Sequence, residues 1–385
     1  MKYYIIYLIL ILFSLTQNNI SAQGNKGRIA SLFAIRTTIG TYTFKDGSVY
    51  NGEMKWGKPN GKGKTVFKNN DTYEGYYKKS NREGFGIYVF TDSGEKYEGM
   101  WFKDQIQGKG TFYFSNKNYY TGMWDENSRE GKGTMYYHNG DVYVGEWKNG
   151  KREGEGTYIW KNGDKYEGAW HNDKKEGQGA IVWIDGFRYN GTWKNDVRSG
   201  RGTYKYVNGD VYVGEWVDDV QHGQGIYTFS TGDRYEGTYL RGRRTGAGTF
   251  YHVNGNKYVG NFDNGEQEGK GTFIWKSGDV YEGNWKNNMF SGKGTYKWKN
   301  GNTYAGEWKN SEPDGKGVLI LNNGDKYDGE FANGLKEGHG IETIKDGNRF
   351  EGTFKKGKRD GIFTETDRYG KVIRKITYHM GILIK

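Results

Sequence analysis

Six histidines, one Gly-Lys-Thr run and a set of aspartates are the residues whose types could support chemistry. The histidines are His138, His171, His222, His252, His339 and His379. None stands in the His-x-x-x-His spacing or beside the cysteine that a zinc site uses, and only His138 and His252 fall near strand-core positions. Lys62-Gly63-Lys64-Thr65 resembles the end of a phosphate loop, but that motif needs glycine five residues before its Gly-Lys-Thr, and Lys58 stands there. Asp141, Asp164, Asp210, Asp233, Asp279 and Asp325 each follow a glycine. The Gly-Gly-x-Gly-x-Asp calcium repeat is absent, so they read as turn residues whose carboxylates hold local backbone. The chain has 0 cysteines, which excludes disulfides, a thiolate metal site and a cysteine nucleophile. No paired carboxylates and no nucleophile–base set stand out. We therefore assign no catalytic residue, cofactor or metal, and expect a chain that is not an enzyme.

What remains is aromatic. The sequence holds 13 Trp, 33 Tyr and 19 Phe, against 34% apolar residues overall. These rings sit in one sentence: Tyr-x-Gly-x-Trp, a polar stretch, Gly-x-Gly, an aromatic pair, then Asn-Gly. Copies begin at Tyr50, Tyr73, Tyr97, Tyr120, Tyr143, Tyr166, Tyr189, Tyr212, Tyr235, Tyr258, Tyr281, Tyr304, Tyr327 and Phe350. The period is 23 residues, with one spacing of 24 between Tyr73 and Tyr97. A fixed period of this size means a stacked array, with no single closed core. The 64 glycines belong almost wholly to the pattern; only Gly24, Gly27, Gly370 and Gly381 lie outside it.

Each copy reads as two strands. Tyr158 and Trp160 lie two apart, as do Tyr166, Gly168 and Trp170. Period two with aromatic and β-branched residues predicts strand, and Asn162-Gly163 between the runs predicts a hairpin turn. Tyr158 and Tyr166 share a face only if the loop has odd length. Lys161-Asn162-Gly163, a type I turn ending in a left-handed glycine, meets that condition. Asn70 serves where glycine is missing, and the extra residue of the long copy falls in the Thr91–Gly94 turn, where it leaves the register intact. The glycine of Tyr-x-Gly lies on the aromatic face, where a side chain would meet rings arriving from the next strand. Gly-x-Gly is expected to mark the reversal into the following hairpin. The other face is mostly polar: Thr157, Ile159, Lys165, Glu167. The fold class is all-β: an elongated single-layer antiparallel meander of stacked hairpins, with about 28 strands and roughly 130 Å of length at 4.8 Å per strand.

Residues 1–22 differ. Met1-Lys2 is followed by apolar sequence from Tyr3 to Leu15 and a polar run ending at Ala22. This is the pattern of a secretory signal peptide cleaved between Ala22 and Gln23, with an apolar run too short for a membrane span. It places the chain in the periplasm, at an outer membrane or outside the cell. The organisation is then 1–22 signal peptide, 23–37 short segment, 38–361 array and 362–385 basic cap hairpin. The net charge is +11, and more than half of the excess lies after Phe354.

Tyr-x-Gly-x-Trp with Gly-x-Gly at this period resembles the MORN (membrane occupation and recognition nexus) repeat family over about four-fifths of the chain. The resemblance implies stacked hairpins and a scaffold that binds proteins, itself or membranes. Met54, Leu321, Ile344, Phe350 and Phe363 depart from the pattern near the ends, as capping copies do. After Gly361 the chain looks like a shorter variant hairpin with its turn near Tyr369-Gly370.

The expected function is a non-enzymatic interaction scaffold that binds a protein partner, or itself, along the aromatic face. Tyr158, Trp160, Trp170, Trp183, Trp193 and Trp216 are the candidate groove rings. Alternatives are a glycan or cell-wall module, and peripheral binding to an anionic membrane through Lys355, Lys356, Lys358, Arg359, Arg374 and Lys375. No nucleic-acid partner is expected.

Overall fold

A computed structural model of the chain describes residues 37–384; the leader assigned to residues 1–22 lies outside them. The described residues contain strands and turns but no helix, and consecutive strands pair antiparallel, with Lys358–Arg359 and Gly361–Thr366 both pairing with Arg349–Lys355. The result is one open meander of hairpins, from Thr38–Thr43 at one edge to Val372–His379 and Ile382–Leu383 at the other. Most copies contribute a seven-residue strand such as Val142–Lys148 and a nine-residue strand such as Lys151–Ile159.

The hairpin loops follow the parity argument. The Trp160 N–H donates to Asp164 O at 3.0 Å and the Gly163 N–H to Trp160 O at 2.9 Å. They close a three-residue loop in which Gly163 has φ 99°. Tyr158 consequently faces Tyr166 across the ladder. Asn70 takes the left-handed place in its loop with φ 66°, and the four-residue Thr91–Gly94 turn leaves Tyr88 opposite Tyr97.

Two glycine expectations change. Gly-x-Gly does not mark the reversal. The chain turns five residues earlier, at a two-residue turn such as Asn149-Gly150, with φ 50° and 77°, the geometry that suits right-twisted strands. Gly154 and Glu155 instead form a bulge: Gly145 pairs with Gly156, but Glu146 pairs with Glu153. The ring over the Tyr-x-Gly glycine also has a different origin. It belongs to the tyrosine two residues earlier on the same strand. A Cβ added to Gly145 or to Gly156 would lie 2.6 Å from Cζ of Tyr143. The tyrosine lies flat in a seat made by two paired glycines, and its hydroxyl donates to Glu146 O at 3.1 Å.

Each seated ring is fully buried, and tryptophans or their substitutes close it from two sides. Tyr143 meets its own Trp147 and the next copy's Trp170 edge-on, at 5.2 and 5.3 Å between centroids. Tyr166 does the same with Trp170 and Trp193. Such edge-to-face pairs contribute roughly 0.5–1.5 kcal/mol each beyond burial. Because each tryptophan of the Tyr-x-Gly-x-Trp column touches two seated tyrosines, as Trp147 and Trp170 do, the contacts run unbroken through consecutive copies.

The turn aspartates tie one loop to the next. Asp141 Oδ1 accepts the Lys161 N–H at 2.8 Å, and Oδ2 accepts the Tyr158 hydroxyl at 2.7 Å and Asn139 Nδ2 at 2.9 Å. Burial pushes its carboxyl up, but these bonds outweigh it and hold the carboxyl below the usual range. Asp164, Asp210, Asp233, Asp279 and Asp325 accept the equivalent N–H twenty residues on.

Gly156→Ala should lower stability by about 2 kcal/mol, because the methyl displaces a ring that is seated on backbone. Gly163→Ala meets nothing closer than Ile184 at 3.4 Å and should cost about 1 kcal/mol for its left-handed backbone alone. Hydrogen exchange should show the first loss confined to copies near Tyr143; equal effects of the two substitutions would refute the seat. Asp141→Ala should cost roughly 1–2 kcal/mol in thermal melts for its lost bonds. Asp141→Asn should recover most of that, because Asn118, Asn256 and Asn302 make the same backbone bond in their copies.

Candidate functional site

On the aromatic face, the nine-residue strands place a cation over five of the column tryptophans. Arg152 pairs across from Trp147, and its guanidinium lies 4.1 Å from the Trp170 ring centroid. It also donates to Asp173 Oδ1 at 3.2 Å and to Asp173 O at 2.6 Å. Arg82, Arg129, Lys175 and Arg198 cover Trp101, Trp147, Trp193 and Trp216 at 4.2 to 4.4 Å. Burial lowers the pKa of Arg129 and of Lys175 and pushes the seated phenols up, Tyr50 to about 12.

This roof decides where the six sequence-predicted rings stand. Trp170, Trp193 and Trp216 are 5%, 3% and 3% exposed and are part of the internal stack. Tyr158, Trp160 and Trp183 are half-buried and lie along the loop side of the same face. Tyr158 contacts Trp160 at 4.7 Å and Trp170 at 6.2 Å. The structure thus splits the six into a sealed row and an accessible one.

The opposite face holds a feature that the general polar reading of that face missed. In most copies the residue three after the start is Glu, Thr or Asn. At three consecutive copies it is Tyr76, Met100 and Met123, and Phe85 pairs directly with Met100. Tyr76, Phe85, Met100 and Met123 are 50%, 52%, 42% and 38% exposed. Nearer the loops, Tyr119 stacks on Tyr113 and Tyr136 at 5.9 and 4.4 Å. Between the two rows runs an open trough of about 820 Å³, floored by backbone at Gly99, Gly110, Gly122, Gly133 and Gly145. Glu98, Lys109, Lys132, Glu146 and Glu155 line it with mixed charge. The floor is smooth because each glycine gives its one side-chain direction to the tyrosine seated behind it.

The six basic residues near the end divide as well. Arg359 donates to Glu342 Oε2 at 2.8 Å and to the Tyr378 hydroxyl at 3.1 Å, and lies over Phe350 at 4.3 Å. Arg374 donates to the buried Glu365 at 2.7 Å. Lys355, Lys356, Lys358 and Lys375 are exposed. The pairing of the two arginines follows from ring loss: Glu342 and Glu365 stand where earlier copies carry Tyr158 or Tyr204, so the half-buried Glu342 and the buried Glu365 each take a cation. Among the described residues no group of three His, Asp or Glu is placed to hold a metal ion.

The MORN repeat model matches this chain in successive segments from residues 39–49 to 350–362. MORN repeat-containing protein 3 of Xenopus laevis is 40% identical over 80 residues, covering 19% of this chain and 34% of that protein; the chain thus spans about a third of that relative's length. Among solved structures, the TCP10 domain of Danio rerio CPAP, in complex with a STIL peptide, aligns with 53% of this chain and 96% of its own. Its identity is 15% and its TM-score 0.30. The TCP domain of SAS-4 from Drosophila melanogaster, in complex with a proline-rich motif of Ana2, covers 41% and 89% at 16% identity and a TM-score of 0.27. Such repeats generally serve as modules for interaction with proteins or membranes, in keeping with a non-enzymatic scaffold. With the repeat model matched in successive segments between residues 39 and 362, the chain belongs to the MORN repeat family.

Proposed function

We propose that this chain is a non-enzymatic scaffold that holds a protein partner in the trough between Phe85 and Val144. One observation carries the reading: the face that the repeat keeps polar turns apolar over three adjacent copies, and there alone do Tyr76, Phe85, Met100 and Met123 line up in the open. Scattered exposed apolar residues are ordinary; a contiguous patch beside a groove marks an interaction surface. The glycine floor lets a partner's backbone lie close, Phe85 and the methionines supply adaptable apolar contact, and Glu98, Lys109 and Lys132 set polar limits at the rim.

The half-exposed row of Tyr158, Trp160 and Trp183 supports a second reading, in which the partner lies along the loop side of the aromatic face. The exposed Lys355, Lys356, Lys358 and Lys375 favour contact with an anionic surface at the C-terminal end. Both are separable from the trough by position.

A photo-cross-linking residue at position 123 should capture a protein partner in the cells of origin. Phe85→Glu with Met100→Glu should reduce that capture about tenfold or more, since two buried anchors each contribute upward of ~1 kcal/mol. Val213→Glu, on the same face elsewhere, should leave it unchanged. Capture lost only on Trp160→Ala with Trp183→Ala would move the site to the ring row, and capture insensitive to both pairs would end the reading. We place the scaffold outside the cytoplasm on the strength of residues 1–22; the chain isolated from its cells should begin at Gln23, and an intact Met1 in exported material would refute cleavage.

A further inference from the structure

We propose that copies of this chain join end to end, the strand Val372–His379 of one copy pairing with the strand Thr38–Thr43 of the next. The proposal uses the two edges of the sheet and is independent of the trough reading.

An open sheet has two unpaired edges, and an unprotected edge is a template for another strand. Thr38–Thr43 carries no charge and no proline, the usual protections. The strands that occupy its place in later copies have nine residues, as in Lys151–Ile159; this one has six. Among the described residues it fills the loop-side part of that place. At the opposite edge, Ile382–Leu383 pairs with Tyr378 and His379 and covers that same turn-side part of Val372–His379, leaving the loop-side part open. The open loop-side part of one edge thus matches the described strand of the other.

Register and direction agree. Within a copy, each start residue pairs with the residue fifteen positions on, as Tyr143 does with Tyr158. Arg374 holds the start place, because it lies opposite Glu365 as Tyr166 lies opposite Tyr158. Tyr42 holds the place fifteen on, because it pairs with Tyr50. Continuing the ladder between copies therefore sets Arg374 opposite Tyr42, Lys375 opposite Thr41 and Ile376 opposite Gly40, all antiparallel and with matched faces. The hydrogen-bonding parity is also right. The Phe44 N–H bonds inward to Ser48 O, so by alternation Thr41 presents its N–H and C=O outward. Thr377 O accepts from the Ile384 N–H on the outer side, so Lys375 is outward too.

The side chains favour the mixed joint over either like pair. Among the described residues Gly40 is the one member of its glycine column with no seated ring; a Cβ there would meet Met54 Sδ at 2.8 Å. Arg374 opposite Tyr42 is a cation–ring pair. Two C-terminal edges would instead bring Arg374 and Lys375 against their own copies. A joint of about five residues per strand buries far less than a standard interface, so it should be reversible and dependent on concentration. Because head and tail differ, the contact does not close on itself and generates linear chains.

Sedimentation of the natively processed chain should show mass rising with concentration beyond a dimer. Thr41→Pro and Lys375→Pro each remove one outward N–H and should each give monomers, whereas their equimolar mixture should stop at dimers. Thr41→Val keeps the N–H and should still polymerise. Because the sequence has 0 cysteines, Thr41→Cys mixed with Lys375→Cys should form a disulfide-linked dimer about tenfold or more faster than either variant alone, and this arm does not depend on a proline being tolerated. A wild type that stays monomeric at every concentration, self-association that survives in Lys375→Pro, or equally fast linking of Thr41→Cys to itself would overturn the proposal.

Discussion

The constraint on which the rest of the structure depends is the tyrosine lying flat on two paired glycines. A single-layer sheet has no second layer to pack against, so its core must come from one face alone. Laying a ring directly on backbone makes that possible: the phenol is buried from beneath by the glycines and from both sides by tryptophans or their substitutes. A methyl group at either glycine would fill the seat. The pair is therefore fixed by sterics, and the conformational entropy it costs is offset by the burial of a large ring.

From that seat the remaining features follow. The tryptophan four residues on must stand edge-on to the ring, which brings it against the next tyrosine as well. Its outer face would then be wet, and in five copies the cation nine residues after a start covers it. Arg152 does this while its guanidinium also holds the turn of the following copy through Asp173. Asp141 repeats the device at the opposite end of the strands. Each copy is thus bound to its neighbour by a ring contact in the middle and by a polar contact at either end. Stability in such an array is local, and no copy is complete without the next.

Period, parity and loop length were legible because they depend only on spacing: an odd loop is the sole way to keep Tyr158 and Tyr166 on one face. The ring's origin was not, since sequence shows that glycine leaves room but not which side chain fills it. The same holds for the six groove candidates. Trp170 and Trp160 look alike in sequence; only the packing shows that Arg152 roofs the first while the second lies at the loop side. The bulge at Gly154 was hidden because a left-handed glycine within a strand and one at a reversal leave the same letter. The trough did have a signal, in Tyr76, Met100 and Met123 at a position that is otherwise polar, but it emerges only when the copies are compared column by column.

Column-wise comparison also shows why the two ends of the array are not equivalent. Toward the C-terminus the rings give way to Leu319, Glu342 and Glu365, and two residues of the cation column, Lys336 and Arg359, pair with Glu342. Phe363 takes the place of a seat glycine and lies over Gly352 itself, so this end supplies its own final ring. At the N-terminal edge Gly40 keeps the glycine without the ring. A stack whose unit contact is directional must end in two different surfaces, one that has filled its last seat and one that still offers it. The polarity of the array is thus set by the same ring-on-glycine contact that holds its middle together.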